Sequence, residues 1–208
     1  MVRLASGDPR NVFKTIASLP QSYVGKPFVV INDMDFDVVA RNLIMLLLSL
    51  TIADEQEAIQ TVLHVWYSAF IRPVDLQRIQ ALHPLIKDVC TKIASRGSGS
   101  LQAKTFTFGP SSLRVVLKKE HWKILLTFLC PPKGLTIEKA RRGRLAVTMA
   151  PHRLDYLHRD LALQQPEHRI CKERFREDGI LLPFSQSRDD FTVPNPYVEQ
   201  MNTSEMHC

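Results

Sequence analysis

Apolar residues enter this chain first as two short runs, Val2 to Ala5 and Phe28 to Ile31, each running into a polar turn. Ser6-Gly7-Asp8 follows the first and Asn32-Asp33-Met34-Asp35 the second. The pattern predicts strand, helix, strand: a βαβ unit whose pocket lies at the carboxyl ends of parallel strands. Asp8 is placed as N-cap and Pro9 at the first helical position, with the helix running to about Leu19 and ending at Pro20. The unbroken apolar character of Phe28 to Ile31 predicts a strand covered on both faces.

From Phe36 to about Ile52 the pattern turns helical, and Leu43-Ile44-Met45-Leu46-Leu47-Leu48 is apolar on nearly every side, which implies burial. A further helix opens at Asp54 with Glu57 three residues on, as in a capping box, and carries Ile59, Val62, Leu63, Trp66, Ala69 and Phe70 on one stripe up to Pro73. The stripe from Leu76 to Ile93 keeps helical spacing, but Pro84 should kink or divide it near Gln80 to His83. Arg96-Gly97-Ser98-Gly99-Ser100 then reads as a flexible linker.

Beyond it, Thr105 to Phe108 alternates like a strand, Gly109-Pro110 turns, and Leu113 to Leu117 makes a second strand. Helices are expected around Trp122 to Leu129, from Thr136 to about Met149, and from Glu167 to Glu177, the last closed by Gly179 as C-cap. Ile180-Leu181-Leu182 is a candidate final strand. The organisation expected is a Rossmann-like N-terminal region over 1–95, a linker over 96–100, a C-terminal α+β region of the same domain over 101–184, and an extended or disordered tail over 185–208. The fold class is α/β and helix-rich: a Rossmann-like, methyltransferase-like parallel sheet flanked by helices, with an α+β extension.

Composition adds an electrostatic asymmetry. Residues 76–176 hold 20 Lys and Arg against 7 Asp and Glu, whereas the rest of the chain holds 7 against 14. A basic middle region attracts nucleic acid, anionic lipid or an acidic protein segment, and it lacks the interleaved aromatics that single-strand binding wants. The cysteines at 90, 130, 171 and 208 are scattered, which fits a reducing compartment rather than a disulfide framework. No apolar run is long enough to span a bilayer, so a soluble cytoplasmic protein is expected.

The candidate ligand pocket comprises Gly7, Asp8, Arg10, Asn11, Asp33, Asp35 and Arg41. A dinucleotide turn needs several glycines so that backbone approaches a pyrophosphate; here there is one, and Asp8 puts negative charge where a phosphate would sit. No resident cofactor is expected. S-adenosylmethionine, which carries no phosphate, escapes that objection, with Asp33 or Asp35 beside its ribose. The structural alternatives are Asp33 as a turn former, Arg10 paired with Asp8 or Asp35, and Arg41 paired with Asp37 at helical spacing. Arg169, Lys172, Arg174 and Arg176 form a basic helix that is a candidate partner-binding surface. His168 and Cys171, with His152 and His158 near in sequence, lack the second strong pair that a metal site requires, so none is assigned. Ser98 lacks the GxSxG elbow, no Walker A motif is present, and Trp66 and Trp122 fall on core stripes, so no catalytic residue is assigned.

With these segments laid out, the sequence resembles a eukaryotic family of uncharacterised domains, domain of unknown function 4470, abundant in fungi. The stretches that carry the resemblance are Ser6 to Val12, Val30 to Asn42, Leu63 to Ala69, Arg174 to Phe184 and Val193 to Pro196. Members are often joined to a MYND-type zinc finger, and a related domain begins an axonemal dynein assembly factor. The resemblance implies interaction or assembly work; the four scattered cysteines of this chain cannot build a MYND finger. The function expected is a non-catalytic interaction or assembly module with a degenerate Rossmann-like pocket and a protein partner, an acidic one if the basic helix binds it. The alternatives are an S-adenosylmethionine-dependent methyltransferase-like enzyme and nucleic-acid binding through the basic middle.

Overall fold

The chain begins with the expected strand, helix, strand: β1 (Val2–Ala5), α1 (Arg10–Ala17) and β2 (Val29–Asn32), with β1 and β2 parallel and Ala5 opposite Asn32. The structure is a computed structural model that describes residues 2–5, 7, 9–148, 162–183 and 185–197. Asp8 lies outside the described residues, and Pro9 takes the N-cap position of α1 rather than its first helical one, a one-residue shift of the kind helix ends show. The expected cover over β2 is incomplete. Val29, Val30 and Ile31 are only half-buried and Phe28 is 65% exposed, because two strands cannot shield each other as the central strands of a wide sheet do.

Helices follow. α2 (Phe36–Thr51) is capped by Asp35, and α3 (Glu55–Tyr67) by Asp54, whose carboxylate accepts from the Glu57 backbone N–H at 2.8 Å as its sequence foretold. β3 is only Phe70–Ile71. The stripe interrupted by Pro84 does divide, into α4 (Pro73–Gln80) and α5 (His83–Lys92), since a proline cannot donate the bond that a continuous helix needs. Next come β4 (Leu101–Phe108) and β5 (Ser111–Lys118), an antiparallel hairpin with Phe108 opposite Ser111. Gly109 takes φ +54° at the two-residue turn, the left-handed conformation such hairpins require. α6 (Lys119–Leu125) ends in a 3-10 turn over Leu126–Leu129.

α7 (Ile137–Thr148) packs on α8 (Pro166–Asp178), and α8 is closed by Gly179 at φ +73°. Ile180 to Leu182 does not form the expected strand. It runs beside β3, with the Ala69 N–H donating to the Gly179 carbonyl and the Leu181 N–H to Ser68 Oγ. The antiparallel partner of β3 is instead β6 (Val193–Pro194). The fold is thus mixed α/β and helix-rich, with one parallel pair and two antiparallel pairs among the described residues. A wider Rossmann-like sheet is not among them: after β2 the chain goes into consecutive helices instead of returning as further parallel strands.

The core is organised around α2. Ala40, Leu43, Ile44, Met45, Leu47 and Leu48 are buried against α3, α4 and α5, the inner face of the hairpin, Trp122, Leu125 and Leu129. Trp122 Nε1 donates to the Gln102 carbonyl at 3.1 Å, so its polar atom is satisfied inside the core. Trp66 is only half-buried, stacked on Tyr67 with ring centroids 4.8 Å apart. Because this core draws side chains from both sides of residues 96–100, that segment does not divide the interior into separate cores. It is held in place: Glu120 accepts from Ser98 Oγ (2.8 Å) and the Gly99 N–H (3.0 Å), and Lys119 Nζ donates to the Ala94 carbonyl (2.7 Å) and the Arg96 carbonyl. The bonds from the Gly99 N–H and Ser98 Oγ depress the Glu120 pKa to about 2.

Residues 185–190 turn at the surface, and the chain then enters the core from Phe191 to Tyr197. Asn195 and Tyr197 are fully buried, and Tyr197 Oη donates to the Phe128 carbonyl at 2.9 Å. The rest of the expected tail, 198–208, lies outside the described residues.

Candidate functional site

The parallel register of β1 and β2 brings their carboxyl ends side by side, so Gly7 and the Asp33–Asp35 turn leave the sheet at one end. The chain's own groups meet there. Arg41, one and a half turns into α2 and only 4% exposed, donates from Nη2 to the Gly7 carbonyl at 2.8 Å. Asp33 Oδ1 accepts from the Asp35 N–H (3.0 Å), and Asp35 Oδ1 accepts from the Asp37 N–H (2.8 Å). Both aspartates therefore shape the entry to α2. Asp37 is pushed above the ordinary carboxylate range by burial first and by the neighbouring Asp35 second.

The structure thus brings Gly7, Asp33, Asp35 and Arg41 to one end of the parallel pair. The bond described for Arg41 reaches back to the strand-end turn. Arg10 and Asn11 are exposed at the start of α1. A Cβ at Gly7 would meet nothing within 4 Å, so no close approach of this chain requires a glycine there.

The basic helix proves to be two-sided. On α8, Arg169 and Arg174 are exposed, while Lys172 and Arg176 are half-buried. Arg144 of α7 is buried with its guanidinium over the Phe175 ring, 4.7 Å from the centroid, so some of the positive charge packs α7 on α8. Lys139, Arg141 and Arg142 of α7 are exposed and add to Arg169 and Arg174. His168 and Cys171 lie on the same helix, while His152, His158 and Cys208 fall outside the described residues.

The densest polar chemistry lies where no motif pointed. Asp75 is fully buried and accepts from Thr61 Oγ1 (3.1 Å), the Arg72 N–H (3.2 Å), Arg72 Nε (2.9 Å) and Arg72 Nη2 (2.8 Å). Arg78 donates to Thr61 Oγ1 at 2.7 Å and pairs with Glu57. The Asp75 carboxylate raises the Arg72 pKa further, mainly through their hydrogen bonds. Close by, Asn195 Nδ2 donates to the carbonyls of Val65 (2.9 Å), Ser68 (2.7 Å) and His64 (3.4 Å), capping the C-terminus of α3 from the far end of the chain. His64 is buried edge-on against Phe191, and burial lowers its pKa; its Nδ1 has no hydrogen-bond partner among the described residues. The sequence held one signal for this centre: Arg72-Pro73-Val74-Asp75 has proline at N1 and a carboxylate at N3 of a helix.

Fold and site together define a helix-rich α/β chain in which Arg41 of α2 bonds the turn at the carboxyl end of the N-terminal parallel pair. A family model described as Domain of unknown function (DUF4470) matches residues 1–71, the stretch from β1 to the end of β3. The segments beyond residue 71 that also carry the resemblance lie outside that match. No curated protein and no solved structure matches the chain.

Proposed function

We propose that this chain is a non-catalytic protein-interaction or assembly module that holds an acidic protein segment on the exposed basic face of α7 and α8. The observation that carries the reading is the state of the N-terminal turn. The Gly7 carbonyl accepts from Arg41, and one oxygen each of Asp33 and Asp35 accepts from a backbone N–H, so these groups already serve the entry to α2. That favours a scaffold over a methyltransferase pocket. The binding face rests on Lys139, Arg141, Arg142, Arg169 and Arg174, five exposed cations on two helices packed together. The resemblance to a family joined to interaction modules points the same way.

The test is an anisotropy titration of fluorescent polyglutamate, with single-stranded and duplex oligonucleotides as competitors, on wild type and the Arg169→Glu/Arg174→Glu double variant. The reading predicts polyglutamate binding that weakens about tenfold or more in the double variant, as loss of two charge-assisted contacts implies. Preference for the oligonucleotides, with affinity falling steeply in salt, would replace this reading with nucleic-acid binding.

A further inference from the structure

The outer edge of β4 in the hairpin β4–β5 pairs with no further strand among the described residues, and it carries an identifiable set of backbone groups. Phe108 and Ser111 flank a two-residue turn, and Pro110 has no N–H, so Phe108 and Ser111 exchange the pair of hydrogen bonds that closes the hairpin. Alternation then assigns Phe106, Lys104 and Gln102 to the bonded pairs with β5. The N–H and C=O groups of Thr107, Thr105 and Ala103 point the other way, off the β4 edge. No other strand pairs with that edge among the described residues, and none of these three residues makes another hydrogen bond there.

Beside this edge runs a groove of about 370 Å³ lined by Pro84, Leu85 and Asp88 of α5 and by residues 104–108 of β4. Five successive strand residues line it, although alternate side chains point to opposite faces; the groove therefore follows the edge of β4. Its floor is apolar, from Leu85, Phe106 and Phe108, and it holds two charges. Asp88 is paired with Lys92 at 2.7 Å. The Lys104 ammonium lies 5.8 Å from the Phe106 ring centroid and has no ion pair among the described residues.

We propose that the edge of β4 and the groove under α5 form a peptide-binding site, which takes an extended, apolar segment of a partner protein carrying one carboxylate. Main-chain bonds to Ala103, Thr105 and Thr107 add the segment as a third strand. Its alternate side chains enter between Leu85 and Phe106, and its carboxylate meets Lys104. A lysine on the inner side of an edge strand also discourages indiscriminate strand pairing, so the same residue selects the occupant. The site shares no residue with the α7–α8 face and stands whether or not that face binds acidic segments.

The experiment is selection from a phage-displayed library of random linear peptides on the full chain, followed by amide hydrogen exchange with and without a selected peptide. The expected peptides are apolar with one Asp or Glu, and they slow exchange at Ala103, Thr105 and Thr107 while leaving Lys104 and Phe106 as protected as before. Thr105→Pro removes one outward N–H without touching a β4–β5 bond, and it should weaken binding about tenfold or more; a thermal melt shows that this variant remains folded. Lys104→Glu should turn the selection toward Lys- and Arg-containing peptides, and Arg169→Glu/Arg174→Glu should leave binding unchanged. Failure to enrich any peptide, protection at other amides, or protection already present in a self-paired dimer of the free chain would each overturn the proposal. If Thr105→Pro fails to fold, the exchange pattern on the wild type decides alone.

Discussion

Phe28-Val29-Val30-Ile31 and Leu43-Ile44-Met45-Leu46-Leu47-Leu48 are both unbroken apolar runs, yet they meet opposite fates. Leu47 and Leu48 of α2 are completely buried, whereas Phe28 is 65% exposed and the three residues after it are half-buried. The difference lies in what surrounds each run. α2 is enclosed by helices, the hairpin and Tyr197, while β2 has a single strand partner among the described residues. Burial here follows the number of neighbouring layers, and the interior is built around a helix instead of a sheet. The turn at the end of β1 and β2 is therefore peripheral, and the family match over residues 1–71 stops at β3, whose strand partner comes from residues 193–194.

The sharpest way to break this comparison is a pair of aspartates. Asp75→Ala should cost about 3 kcal/mol in urea denaturation, because it strips the half-buried Arg72 guanidinium of its counter-charge and the buried Thr61 hydroxyl of its acceptor. Asp33→Ala, at the entry of α2, should cost less than about 1 kcal/mol. Equal losses would refute the division into a tight centre and a loose N-terminal pair. Asn195→Ala comes next, at about 3 kcal/mol, since it orphans the buried carbonyls of Val65 and Ser68.

Two glycines sharpen the contrast further. Gly179 sits at φ +73°, and a Cβ there would lie 2.7 Å from the Ala69 Cβ, so Gly179→Ala should destabilise by about 2 kcal/mol. Gly7→Ala should change thermal stability by under about 0.5 kcal/mol, since open space surrounds it. A large loss at Gly7 would reinstate it as a glycine that must let something approach.

The smallest effect is a pH dependence. Burial lowers the His64 pKa in the folded chain, so the unfolded chain binds the proton more tightly. The neutral ring's contribution is complete above the unfolded pKa of about 6.5 and is lost as pH falls through that value toward the lower folded one. Denaturation midpoints measured across mildly acidic pH should fall with pH in wild type, and this component of the slope should be reduced in His64→Gln. An unchanged slope would show that the ring titrates as if exposed.

What the sequence made legible was local. The Asp54 cap, the division at Pro84, the Gly109-Pro110 turn and the Gly179 C-cap all depend on neighbours a few residues away, and each appears where its residues put it. The first βαβ unit was legible for the same reason. The pairing of β3 with β6 was not: a two-residue strand carries no alternation, and its partner lies more than a hundred residues on. Asn195 likewise looks like an ordinary residue between prolines until the carbonyls of α3 are placed beside it. At the candidate site, the residue types at the strand ends were readable, but the reach of Arg41 back to Gly7 depends on how α2 packs, which spacing alone does not encode.

The central claim is that the N-terminal turn is closed by the chain's own groups and serves as scaffold. A thermal-shift titration with S-adenosylmethionine and S-adenosylhomocysteine, on wild type and Asp33→Ala, tests it most directly. The account predicts no shift in either protein. A rise of roughly 5–10 °C at about a hundred times the dissociation constant, present in wild type and absent in Asp33→Ala, would contradict it and establish a working adenosyl pocket.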